Sequence, residues 1–173
     1  MDNEVDIIRK LRSHISSQQR LYIISQLANL SSLTALEELI KVAKRSRRQW
    51  NSFRRFTVED QLSALSALGK TRSRIALTYL RRLIAKERVI TAEYWIYQGI
   101  DPASNGFVVE IKFPDAPRAI RKLLNVRFDI SAGSWQQISL SEAAEEAKSR
   151  LIKENTCYQV VINSIKELET TIS

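Results

Sequence analysis

Acyl, phosphoryl or proton transfer needs a nucleophile beside its base, a carboxylate pair, a metal cluster or a phosphate-cradling loop, and this chain is sparse in all of these. Its single histidine, His14, falls at the end of a basic amphipathic stretch with no serine or cysteine motif near it, and reads as a surface or capping residue. Its single cysteine, Cys157, lies in the apolar run CYQVVI, the setting of a buried, inert thiol. One cysteine excludes an internal disulfide and, with one histidine, any Cys/His zinc site of standard spacing. Glu142, Glu145 and Glu146 cluster in a first helical turn, where carboxylates suit the helix dipole. Gly69, Gly99, Gly106 and Gly133 are too scattered to cradle a phosphate. The expectation is a protein that is not an enzyme, with no catalytic residue, no metal and no cofactor.

Binding chemistry is better represented. Residues 44–55, KRSRRQWNSFRR, carry Lys44, Arg45, Arg47, Arg48, Arg54 and Arg55 around Trp50 and Phe53, with no acid between them. As a polyanion patch, the arginines meet phosphates while Trp50 stacks on a base. As an ordinary connector, the cations complement a helix C-terminus and face water while Trp50, Phe53 and Phe56 turn to the core. Arg72, Arg74, Arg81 and Arg82 continue the basic character downstream, with Lys86 and Arg88. The net charge of +8 is unevenly shared. Residues 1–90 hold 18 Lys and Arg against 8 Asp and Glu, and residues 91–173 hold 9 against 11. Such asymmetry favours an acidic partner: a nucleic acid, an anionic lipid surface or an acidic protein.

The elements that must position these cations are helical. A first helix over 4–13, capped by Asp2 or Asn3, presents Val5, Ile8 and Leu11 on one face. Ser16 with Gln19 is a capping-box pattern opening a second helix that ends near Leu30, and a third runs from Leu33 to Ala43. Thr57 and Asp60 cap the next, 58–68, which is followed by 73–86. Sliding 61–84 back by 41 positions lays Leu65, Leu68, Ala76, Leu77, Leu80 and Leu83 on Ile24, Leu27, Ala35, Leu36, Leu39 and Val42 without a gap. An internal repeat of that period implies helical hairpins that bury their apolar faces by stacking, with Leu27, Leu36, Leu68 and Leu77 in one core.

The run Ala64, Leu65, Ala67, Leu68, Gly69, Lys70, then Ala76, Leu77, Leu80 and Leu83, resembles the HEAT family of helical repeats, in particular the short HEAT-like repeats of phycobilisome lyases. It covers about residues 18–86 and departs from the family's Gly-Asp-Pro-like turn, reading Thr71, Arg72, Ser73 in one copy and Leu30, Ser31, Ser32 in the other. The resemblance implies a binding surface and, as a third reading by fold analogy alone, a bilin lyase-like or phycobilisome-associated factor.

Beyond Val89 the composition changes. Residues 94–100 and 107–113 alternate as a β-hairpin, with Phe107, Val109, Ile111 and Phe113 on one face, although 91–97 also fits a prolonged helix. A short helix at 118–125 follows Pro114 and Pro117, then a strand at 126–130 and a candidate fourth at 134–138. Ser139 with Glu142 opens a long amphipathic helix with Ala144, Leu151, Tyr158, Ile165 and Ile172 seven apart, and with Ala147, Val161 and Leu168 between them. That spacing serves packing inside the chain or self-association through this helix. A break near Asn155, followed by a terminal strand, stays open.

The expected fold class is mainly α with a small α+β part: HEAT-like hairpins over 1–90, then a small β-hairpin or sheet segment and a long C-terminal helix over 91–173. The expected function is a non-enzymatic adaptor binding an acidic protein through the basic repeat face, with nucleic-acid binding through 44–55 as the alternative. The acidic start, 1–6, does not resemble a signal peptide and no long apolar run occurs, so a cytoplasmic location without membrane insertion is expected.

Overall fold

Polar side chains mark where the helices begin. The computed structural model describes residues 3–13, 15–30, 32–44, 56–98, 105–132 and 138–172. Within them run α1 (Glu4–Leu11), α2 (Ser17–Asn29), α3 (Leu33–Lys44), α4 (Val58–Gly69) and α5 (Arg74–Ile84). There follow β1 (Arg88–Trp95), β2 (Gly106–Lys112), α6 (Arg118–Leu124), β3 (Val126–Ser131), α7 (Leu140–Glu154) and α8 (Thr156–Ile172). Complete capping boxes join Ser16 to Gln19, Thr57 to Asp60 and Ser139 to Glu142, each satisfying backbone N–H groups that no helical carbonyl reaches. The fold class is as expected: mainly helical, with a small antiparallel sheet and a long helical C-terminal segment.

The helices keep the repeat's spacing. Ser17 and Val58 open α2 and α4, and Leu33 and Arg74 open α3 and α5, both pairs 41 residues apart. Ile24 and Leu65, Leu27 and Leu68, Ala35 and Ala76, and Leu39 and Leu80 are buried pairwise, as are Val42 and Leu83. Leu36 is buried but its counterpart Leu77 is only half-buried, a departure from the expected four-leucine core. The asymmetry follows from position: α3 packs against α1, α2, α4 and α6, whereas α5 is flanked chiefly by α4 and α8. Central to the helical layer is α4, which touches α2, α3, α5 and α8. Its last residue, Gly69, lies so close to α8 that a Cβ there would sit 2.8 Å from Ser164 Cα, an approach only a residue without a side chain permits.

Two buried carboxylates tie the helices together. Asp60 Oδ2 accepts from Thr57 N at 2.7 Å and from Arg20 Nε at 3.1 Å, joining α4 to α2. Glu38 on α3 accepts from Lys41 at 2.8 Å and from Arg12, just past α1, at 2.5 Å. Burial alone would raise the Glu38 pKa, but the two cations outweigh it and hold the carboxyl below its ordinary range.

The sheet runs β1-β2-β3, antiparallel throughout, and is covered by α7. Phe107, Val109 and Ile111 on β2 are buried with Phe128 and Ile130 on β3, as the alternation of 107–113 predicts. The first strand begins earlier than expected, at Arg88 rather than Tyr94, so 91–95 extend the sheet and not a helix. Physically, a bulge between Val89 and Thr91 interrupts the alternation that would have marked it. Gly106 is required where β2 pairs with the end of β3, because a Cβ would meet Ile130 O at 2.1 Å. Most of the expected fourth strand, 134–137, lies outside the described residues.

The C-terminal segment breaks at Asn155 and resumes as helix, not as a strand. Asn155 is 7% exposed; its Oδ1 accepts from Tyr158 N at 2.8 Å while its Nδ2 donates to the carbonyls of Leu123 and Leu124 at 3.1 and 3.3 Å. One side chain thus caps the start of α8 and ties it to the end of α6. The heptad positions Ala147, Leu151, Val161, Ile165 and Leu168 are buried within the chain, with α8 against α4 and α5.

Candidate macromolecule-binding surface

The cationic residues predicted to bind converge, within the described residues, on α5. Its sequence RIALTYLRRLI buries Ala76, Leu80 and Leu83, and the helical period turns Arg74, Ile75, Thr78, Arg81 and Arg82 to solvent. The helix contains three arginines and no acid. Ile75 is 54% exposed, an apolar side chain next to Arg74 in the chain and on the same exposed side of the helix as Arg82.

The turn preceding α5 adds Lys70 and Arg72, both exposed. Arg72 adopts φ 53, the left-handed region, because Lys70 ends α4 and Ser73 already caps α5, accepting from Ile75 N at 3.2 Å. Thr71 Oγ1 donates to Leu68 O at 2.8 Å, anchoring the same turn.

Lys44, the last residue of α3, reaches the same helix: its Nζ is 5.3 Å from the centre of the Tyr79 ring. Burial pushes the Tyr79 phenol's pKa upward, and its buried hydroxyl has no hydrogen-bond partner among the described residues. Arg45, Arg47, Arg48, Trp50, Arg54 and Arg55 lie outside the described residues, as does His14. Of the described cations, Arg81 is engaged by Glu169 of α8 at 2.7 Å, an exposed pair whose two members are held only weakly. Lys41 on α3 bonds Glu38, and Lys86 pairs with Asp115 at 3.2 Å. Arg88 stands on β1 and not on the helical face. The accessible part of the surface is therefore Arg72, Arg74 and Arg82 with Ile75, and Arg81 at its α8 flank.

Sequence reasoning missed Glu169, 88 residues beyond Arg81, since no local pattern encodes that contact. It also missed two clefts. One, of about 670 Å³, lies between α4, β3 and the α7–α8 break, lined in part by Leu62, Phe128, Arg150 and Cys157. Cys157 is buried and unpaired, and burial pushes its thiol up to about 12, so it stays protonated near neutrality. The other, of about 640 Å³, lies between β1 and the start of α7. Glu142 serves its cap, accepting from Ser139 N at 2.6 Å, and its pKa is lowered by that bond. Among the described residues no His, Cys, Asp and Glu gather as a metal-holding group, and no helix is long and apolar enough to cross a membrane. Compared with family models, curated proteins and solved structures, the chain matches none.

Proposed function

We propose that this chain is a non-enzymatic adaptor that binds an acidic surface of another protein through the exposed face of α5. The observation that carries the reading is the combination on the exposed side of one helix: Arg74, Arg81 and Arg82 without a single acid on the helix, and Ile75 exposed beside them. Guanidinium groups pair with carboxylates in a planar, bidentate way, and an exposed apolar side chain beside cations suits a protein contact. A phosphate backbone would use the arginines but gain nothing from Ile75. The HEAT-like resemblance of residues 18–86 supports the same reading, since stacked helical hairpins present long, rigid faces.

Affinity capture from native extract, with and without nuclease and with Arg74→Glu/Arg82→Glu as a control, tests the proposal. The adaptor reading expects a defined protein that survives nuclease and is lost with the charge reversal. Capture abolished by nuclease and indifferent to the α5 variant overturns it in favour of nucleic acid held by 44–55. Binding of that kind weakens with salt by roughly 0.7–0.9 log unit per phosphate contact per decade.

A further inference from the structure

The two edges of the sheet are treated differently. At the β3 edge, Arg150 Nη1 donates to Asp129 O at 2.8 Å, its Nε is held by Glu154 at 2.9 Å, and its guanidinium lies 5.1 Å from the Phe128 ring centre. A helix side chain thus occupies that edge and blunts it. Among the described residues nothing equivalent covers β1. Val89, Ile90 and Tyr94 are exposed on the strand, Ile96 and Tyr97 just beyond it, and Leu140 across the groove that separates β1 from α7.

The bulge decides which β1 residues share a face. Arg88 stands opposite Lys112, Thr91 opposite Glu110 and Glu93 opposite Val108, so all three lie on the face away from α7, although Arg88 and Glu93 are five positions apart. Val89 and Ala92 stand opposite Ile111 and Val109, on the inner face. Without the bulge, Arg88 and Glu93 would point to opposite sides.

We propose that β1 is a self-association edge, and that two copies of this chain join β1 to β1, antiparallel about a two-fold axis at Thr91, into one continuous six-stranded sheet. In that register Arg88 of each copy faces Glu93 of the other on the solvent side, Thr91 faces its own equivalent, and Val89 faces Ala92 on the inner side. Opposite charges and paired threonines are favourable cross-strand neighbours, and the two-fold axis makes the Arg88–Glu93 and Val89–Ala92 contacts occur twice. Ile90 and Leu140 from both copies come together at the join, removing exposed apolar surface from water. Charge complementarity identifies the occupant as a second copy. An acidic strand, the natural match for α5, would set its carboxylates against Glu93, whereas this strand supplies its own arginine there.

Sedimentation of the full chain over a wide dilution series tests the proposal. Wild type is expected to dimerise, and Arg88→Glu or Glu93→Arg alone to raise the dissociation constant at least about tenfold, because like charges then face each other twice. The double exchange, Arg88→Glu with Glu93→Arg, is expected to restore dimerisation to within a few-fold of wild type. A wild type that stays monomeric at every concentration overturns the proposal, as do single variants that dimerise normally or a double exchange that fails to rescue. Thr91→Cys is an independent check, since the native Cys157 is buried. Oxidation of the folded variant is expected to yield a disulfide-linked dimer, and a product that remains monomeric counts against the register.

Discussion

Asp60 and Glu38 are almost wholly withdrawn from water, and a carboxylate in that position is stable only when cations and N–H groups replace its hydration. Each is answered by residues from another helix: Arg20 for Asp60 and Arg12 for Glu38. Glu38 carries a pH signature. Its folded pKa lies below its unfolded one, so on acidification the unfolded chain takes the proton first. The stability it contributes is present above the unfolded carboxylate value of about 4.3 and is lost as pH falls through the folded value. Urea unfolding of Glu38→Gln should therefore show a deficit of about 1–3 kcal/mol at neutral pH that closes in acid. A deficit unchanged across that range would mean that the ion pairs contribute nothing beyond packing. Neither pairing was legible in the sequence, because Arg20 lies 40 positions from Asp60 and Arg12 lies 26 from Glu38. The caps were legible, because Ser16, Thr57 and Ser139 each meet their partner three residues on.

Among the elements, α4 and α8 come into close contact where Gly69 meets Ser164. Replacing Gly69 by Ala sets two effects against each other. A helical alanine gains about 0.5–1 kcal/mol over glycine, while forcing a methyl against the α8 backbone costs about 1–3 kcal/mol. The neighbouring atoms are Ser164 Cα and Cβ, which cannot swing aside, so the cost wins and thermal unfolding should shift to lower temperature. A rise in the melting temperature would show that the two helices are free to separate. The sequence announced helices through periodicity and caps, but it left the interruption at Asn155 open, and the β-branched run CYQVVI suggested a strand where α8 is helical. It hid the start of β1, since the bulge at Ile90 erases the period-two signal, and it gave no hint that Asn155 also holds the end of α6. Burial of the repeated apolar positions was readable except at Leu77, whose exposure depends on how much of α5 its neighbours cover.

For the whole molecule, packed helices and a small sheet leave a basic face on α5 and an apolar edge on β1, two surfaces of different chemistry. The basic residues and their placement on a helical-repeat face were legible in the sequence. Which of them stay accessible was not, because only the packing of the helices shows which cations, like Lys41 and Lys86, are engaged. The claim that α5 recognises an acidic protein is tested most directly by a photo-crosslinking residue at Ile75, in native extract, with the same residue at the exposed Tyr22 of α2 as the control position. The account predicts a discrete protein adduct from position 75 that is insensitive to nuclease, absent from position 22, and suppressed by Arg82→Glu. Adducts to nucleic acid, or equal protein adducts from both positions, would contradict it.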